Sequence, residues 1–307
     1  MMNVSKVFTE ALVEYQEKHE GLERGYDERN DYLKKDTSWA QLRKGMSPAH
    51  EKQFGAGSGG ELEPKDGKPP KMAAFASSSR MIYTLSTQKD DIPGIRFEEK
   101  LSTTIGGTAN MDGYLEQDGK YIFVEAKCRE PYDHTTVQTV KTAYKNLYEQ
   151  LRKSMPGIFS CVMEEREEEN DMRVVFLCQG EAVAYFDIKQ MICHLLGVAT
   201  KFLKPTDCKG LYFPEFEQIQ FLYLLYDPSS LALTGAKRDA VMQIYRDTCR
   251  TAQAYHFEQM FAHVVDYLVA YKTKKNKPVP DEVYLNRLKK AFTFHLCSQE
   301  DYNTYFI

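Results

Sequence analysis

No run of about 18 apolar residues is present, the length a helix needs to cross a bilayer, so a membrane-spanning helix is not expected. Residues 1–19 mix Glu, Lys and Gln where a secretory signal needs an apolar stretch, and the expectation is a cytoplasmic protein. Close cysteine pairs are also missing. Cys128, Cys161, Cys178, Cys193, Cys208, Cys249 and Cys297 are scattered, which argues against zinc knuckles and redox dithiols and reads as reduced, packing thiols. There is no excess of positive charge: the formal net charge is -4, so contact with nucleic acid has to come from a local basic face. Tryptophan is nearly absent, with Trp39 alone, and no internal repeat is seen.

What remains is an ordinary globular composition. With 307 residues, 42% of them hydrophobic, the chain can bury a sizeable core. Residues 1–54 read as an N-terminal helical arm, opened by helical spacing of Val7, Leu12 and Val13. Residues 55–71, GAGSGGELEPKDGKPPK, read as a mobile loop. Gly55, Gly57 and Gly60 spell GxGxxG, but no strand precedes them and Pro64, Pro69 and Pro70 follow, so a dinucleotide site is not assigned. Residues 72–230 read as a catalytic core with a helical insertion, and 231–307 as a C-terminal helical region.

Within the core, 77–85 reads as a serine-capped helix, and 95–101, 109–115 and 121–127 as three successive strands. Residues 135–154 and 187–200 carry helical periodicity, with a strand expected at 174–178. The acidic run 164–169 with Asp171 lacks the oxygen spacing of a calcium loop and reads as a solvated loop. Residues 219–226, IQFLYLLY, read as a strand in the sheet interior, and 238–272 and 281–295 as helices around a Lys-rich break.

The chemistry concentrates in 111–127, MDGYLEQDGKYIFVEAK. Asp118-Gly119 signals a two-residue hairpin turn, which pairs Gln117 with Lys120 and, counting back, sets Asp112 across from Glu125. Opposed carboxylates stand about 4.5–5.5 Å apart at Cβ and repel unless a cation compensates them. Alternation puts Phe123, Glu125 and Lys127 on one strand face, so Lys127 joins both acids. Glu98 on the preceding strand is a candidate third acid, while Glu99 points to the other face. Two or three carboxylates suit Mg²⁺, with Mn²⁺ as a substitute, and a lysine beside them suits water activation and charge stabilisation in phosphodiester hydrolysis. Spacing alone does not assign that role, because an acid followed by Glu-x-Lys recurs by chance and charged strand faces are commonly just solvated.

The segment FEEKLSTTIGGTANMDGYLEQDGKYIFVEAKCREPY, 97–132, resembles a family of bacterial proteins taken to be type II restriction endonucleases, within the PD-(D/E)xK nuclease superfamily. The resemblance extends to Ser77-Ser78-Ser79, YFDIKQMICHLLG at 185–197 and FLYLLYDP at 221–228, about half the chain. It implies an α/β restriction-endonuclease-like core, a mixed central sheet flanked by helices, with helical extensions at both ends. It further implies a Mg²⁺-dependent DNA endonuclease in which Asp112 is the first acid, Glu125 and Lys127 the Glu-x-Lys, and Glu98 the upstream acid, with Asp-Gly where a Pro-Asp can stand. Gln190 and His194, four apart on one helical face, fall where some superfamily members carry Gln-x-x-x-Tyr; a histidine among Ile192, Leu195 and Leu196 is also a common packing residue.

Double-stranded DNA is the expected partner, and a homodimer matches the two-fold of duplex DNA. Lys141, Lys145, Arg152 and Lys153 on the expected helix after the motif, and Lys272, Lys274, Lys275 and Lys277, are basic clusters for DNA contact, each also readable as solvated surface. The rival readings are a non-catalytic nucleic-acid-binding protein on a nuclease-like fold and a protein-interaction module, neither requiring cleavage.

Overall fold

A computed structural model describes all residues except 1, 58, 59, 90, 134, 167–169 and 307, and no side chain is described for Lys89. Among the described residues no helix is long and apolar enough to cross a membrane.

The chain is mixed α/β, built on a five-stranded mixed sheet with helices on both faces. Helix α1 (Val4–Glu20) starts on the side chain of Asn3, which accepts from Lys6 N, and ends at Gly21 in a left-handed turn. A small hairpin follows, β1 (Arg24–Tyr26) and β2 (Arg29–Leu33), then α2 (Ala40–Gly45) and α3 (Pro48–Ala56). The segment expected as a helical arm therefore also contains strands, and its Val13, Trp39 and Phe54 pack into the core under the sheet.

Of the expected loop, the first two residues, Gly55 and Ala56, finish α3, while residues 60–70 form no helix or strand, and Glu61 and Leu62 are buried against the rest of the molecule. Helix α4 (Ser78–Thr84) enters through Ser77, whose hydroxyl accepts from Arg80 N.

The main sheet has the order β11-β10-β5-β4-β3, formed by β3 (Arg96–Ser102), β4 (Thr108–Gln117), β5 (Lys120–Lys127), β10 (Gln218–Leu225) and β11 (Phe292–Cys297). β3, β4 and β5 are antiparallel neighbours, while β10 runs parallel to both β5 and β11, which makes it the interior strand its apolar run predicts.

A second sheet lies between β5 and β10 in sequence: β6 (Val137–Lys141), β7 (Ser160–Glu165), β8 (Asp171–Cys178) and β9 (Glu181–Ala182). The first part of the helix expected over 135–154 is thus β6, and only α5 (Lys145–Ser154) is helical. Val137 and Val140, with Thr135, Thr136 and Thr139 around them, favour a half-buried strand, and β8 supplies the partner. Glu164 and Glu165 of the acidic run sit in β7, not in a loop, and the rest of that run at 167–169 lies outside the described residues.

Helices α6 (Ile188–Leu203), α7 (Gly235–Ala254), α8 (Phe257–Lys274) and α9 (Glu282–Ala291) complete the chain. α7 and α8 are separated at His256, whose φ is +46°. The helix expected to reach 295 ends at Ala291, and FTFHLC continues as the edge strand β11, so the C-terminal region completes the main sheet. One face of that sheet packs Tyr121, Phe123 and Phe221 against α5, α6 and α8, and the other packs Ile122, Val124 and Leu222 against α3, α4 and the N-terminal segment.

Candidate functional site

The Asp118-Gly119 turn sets the register that the sequence predicts: Gln117 pairs with Lys120, and the ladder runs to Gly113 opposite Val124. Asp112 therefore stands one step further, across from Glu125. At that step the regular ladder gives way, and the Asp112 carboxylate accepts the Ala126 N–H at 2.7 Å.

On the other side of β4, Phe97 pairs with Gly113 and Glu99 with Met111, so Glu98 occupies the position facing Asp112. Glu98, Asp112 and Glu125 thus form one row across three neighbouring strands. Both β3 and β4 exchange faces at this row. Phe97 and Leu101, four residues apart, pack on opposite sides of the sheet, and Met111 and Tyr114, three apart, pack on the same side. Strict alternation requires the reverse in each case. Because both strands switch together, the pairing on either side keeps its register.

Glu98 adopts φ +54°, a left-handed conformation that a non-glycine residue takes at a cost of about 1–3 kcal/mol and that clusters at functional sites. Its side chain lies against Gly57, where a Cβ would fall 2.5 Å from Glu98 Oε2. The glycine in the supposed nucleotide motif instead makes room for an acid.

Lys127 is two residues beyond Glu125 on β5 and is 8% exposed, while Glu125 is 1% exposed. The lysine Nζ lies 2.6 Å from Glu125 Oε1 and donates to Gln190 Oε1 at 2.8 Å. Gln190 is placed by Asp187, which caps α6 by accepting Gln190 N at 2.8 Å, and by Gly197, which brings α6 close to β3 and β4. One turn on, His194 Nε2 stands 2.8 Å from Glu125 Oε2. That contact lacks hydrogen-bond alignment, and Glu125 Oε2 and both ring nitrogens of His194 are buried without a hydrogen-bond partner.

A cavity of about 420 Å³ opens onto Glu98, Asp112, Glu125, Lys127 and Gln190 together. Tyr32, Glu61 and Lys71 line it from distant segments that sequence reasoning does not connect to the site, and Asn110 and Arg129, two residues from Asp112 and Lys127 respectively, line it as well. Glu130 is a further addition. Its carboxylate accepts from the Ser78 hydroxyl at 2.8 Å and from Cys128 N at 3.0 Å, which fastens the start of α4 to the end of β5. The Ser77-Ser78-Ser79 and Glu-Pro-Tyr words mark this clasp in the sequence, but their pairing does not follow from either word alone.

The electrostatics of the two central acids diverge. Burial pushes the Asp112 carboxyl well above its ordinary value, and the Glu125 charge adds to the effect. Burial acts on Glu125 in the same direction, but Lys127 and His194 beside it prevail and bring its pKa down to about 2. For Lys127, burial works against the charge and is outweighed by Glu125 and Glu130, so the ammonium is held well above its ordinary pKa. In this arrangement Lys127 is a fixed cation, suited to stabilising negative charge and not to taking a proton from water.

Among the described residues, no three His, Cys, Asp or Glu side chains form a ready-made metal centre. The donor set nevertheless fits a hard cation. Glu125 Oε2 and Asn110 Oδ1 are buried oxygens without hydrogen-bond partners, and burial with the Glu125 charge disfavours the ionised form of Asp112, which a bound cation would stabilise.

The basic clusters are elsewhere. Lys141 ends β6 rather than lying on a helix, Lys145 is paired with Glu165, and Arg152 and Lys153 are exposed in the last turn of α5. None of the four lines this cavity. Lys272, expected in a basic loop, is buried within α8 and donates to Leu203 O, and Lys274 ends that helix. Lys275 and Lys277 follow it.

The chain matches no family model, no curated protein and no solved structure in the comparisons made.

Proposed function

We propose that the protein is a metal-dependent endonuclease that hydrolyses phosphodiester bonds of double-stranded DNA, of restriction type, acting in the cytoplasm on a restriction-endonuclease-like fold. The observation that carries the reading is the single row Glu98, Asp112, Glu125 across β3, β4 and β5, with Lys127 beside it and one cavity over all four.

Asp112, Glu125 and Glu98 are the residues that would hold Mg²⁺, or Mn²⁺ in its place. When bound, such an ion would supply Lewis-acid polarisation of the phosphate and activation of water. Lys127 offsets charge developing on the phosphate oxygens, and Gln190 fixes the direction of its ammonium. Asp112 is anchored to the β5 backbone through Ala126 N, so its free edge is presented to the cavity in one orientation. His194 Nε2 stands 2.8 Å from the far oxygen of Glu125. A homodimer would place two such sites on the two strands of a duplex.

The testing experiment is digestion of mixed plasmid and genomic DNA with Mg²⁺ and with EDTA. Cutting that requires the metal supports the reading. No cutting of diverse DNA, together with no Mg²⁺ or Mn²⁺ binding by calorimetry, contradicts it. A second reading, a non-catalytic nucleic-acid-binding protein, is favoured by one observation: Glu125 is already paired with the Lys127 ammonium. Metal-independent DNA binding without cleavage would select it.

A further inference from the structure

The second sheet has one face buried and one open. Alternation along its strands turns Val140, Cys161, Met172, Val174 and Phe176 into the main core. The residues between them point the other way. Register sets Val137, Val175 and Val162 in one row across β6, β8 and β7, and Ala182 of β9 opposite Leu177 in the next row. Val137 is 47% and Val162 60% exposed, two of six large apolar side chains left exposed among the described residues. A lone surface valine needs no explanation, but a contiguous apolar row across three strands marks a contact surface.

We propose that two copies of the chain associate through this face, second sheet against second sheet. The proposal stands apart from the nuclease reading: it assigns the surface of self-association, and it is read as molecular mass, not as cleavage.

The charges beside the valines select a second copy as the occupant. Glu164 and Arg173 stand opposite each other on β7 and β8 one step from the apolar row, and both are exposed. Neither has an ion pair among the described residues. One row further, Lys141 stands opposite Asp171, which Arg166 also approaches at 4.0 Å. A phosphate backbone is held by a surplus of cations, whereas here the two signs interleave. Interleaved charge beside an apolar row complements the same face turned over.

The pairing that uses every element has its two-fold axis along the strands, between β7 and β8. That axis would set Val162 of each copy on Val175 of the other, and Arg173 of each against Glu164 of the other. Four short strands, about 4.8 Å apart, give a small interface, so association is expected in the micromolar range.

The test is sedimentation equilibrium of the full chain from about 1 to 100 µM, comparing wild type with Val162→Asp, Arg173→Glu, Glu164→Arg and the double charge swap, each shown to be folded by circular dichroism. The expected result is a wild-type dimer, an affinity about tenfold or more lower in each single variant, and recovery in the double swap. A mixture of Arg173→Glu with Glu164→Arg should also dimerise, although each alone repels its own copy, because both ion pairs across the axis are then of opposite sign. A monomer over the whole range overturns the proposal, as does a dimer that Val162→Asp leaves unchanged. Recovery in the double swap without association of the mixed single variants also overturns it, since the two charges would then be acting within one chain.

Discussion

Gln190 on α6 accepts a 2.8 Å hydrogen bond from the Lys127 ammonium on β5, tying the helix to the sheet beside the row of acids. If this bond aims the lysine, Gln190→Ala should lower kcat by about 10–100-fold with KM little changed, while Gln190→Glu, which keeps an acceptor, should retain more activity. Steady-state cleavage kinetics on a defined duplex, with circular dichroism to confirm folding, checks both.

The two opposed acids should respond in opposite ways to neutralisation. Glu125→Gln removes the carboxylate partner of a buried lysine, and the expected loss is about 3–5 kcal/mol in urea unfolding. Asp112→Asn removes a buried like charge while retaining an oxygen to accept Ala126 N, and the expected change is a gain on the order of 1 kcal/mol. Equal destabilisation by both would contradict the assigned electrostatics.

The pH dependence follows from the same shifts. The Asp112 carboxyl is raised in the folded state, so the folded protein binds that proton more tightly than the unfolded chain. Its contribution is most favourable below the ordinary value of 3.8 and declines as pH rises through the raised folded pKa. The stability advantage of Asp112→Asn over wild type should therefore be present at neutral pH and shrink on acidification. For Glu125 the folded pKa is depressed to about 2, so its contribution is full above the ordinary 4.5 and disappears as pH falls toward 2. Unfolding curves of wild type and the two variants between neutral and acidic pH measure both trends.

Gly197→Ala tests how α6 is seated. A Cβ there would lie 2.8 Å from Ala109 Cβ and 3.0 Å from Leu101 Cβ, neither of which can swing aside. The helix-propensity gain of about 1 kcal/mol is set against an overpacking cost of about 1–3 kcal/mol, and net destabilisation is expected, with reduced cleavage because Gln190 and His194 ride on the displaced helix. Thermal unfolding and a cleavage assay on the same preparation check it.

The sequence makes the centre of this site legible because one local device fixes it. Asp118-Gly119 sets the hairpin, the hairpin sets the register, and the register brings Asp112 to Glu125. The face switch at Glu98 is different. It depends on a positive φ and on the close approach of Gly57 from α3's end, neither of which alternation patterns encode. Tyr32 and Lys71 reach the cavity through tertiary packing and carry no motif of their own.

Two strands were hidden by their neighbours. Val137–Lys141 precedes a true helix with so little interruption that one helical period spans both, and only pairing with β8 makes the difference. Phe292–Cys297 follows α9 directly, and its apolar residues fit either period until β10 offers a parallel edge. Burial of Lys272 was likewise unreadable from a lysine-rich stretch, because its partner, the Leu203 carbonyl, belongs to another helix.

The most direct test of the central claim is single-turnover cleavage of plasmid DNA in Mg²⁺ by wild type, Lys127→Ala and Asp112→Asn, each shown to be folded. The account predicts metal-dependent cutting by wild type and a fall of about a hundredfold or more in both variants, on the scale of losing one transition-state charge contact. Cutting at the wild-type rate by either variant would contradict it.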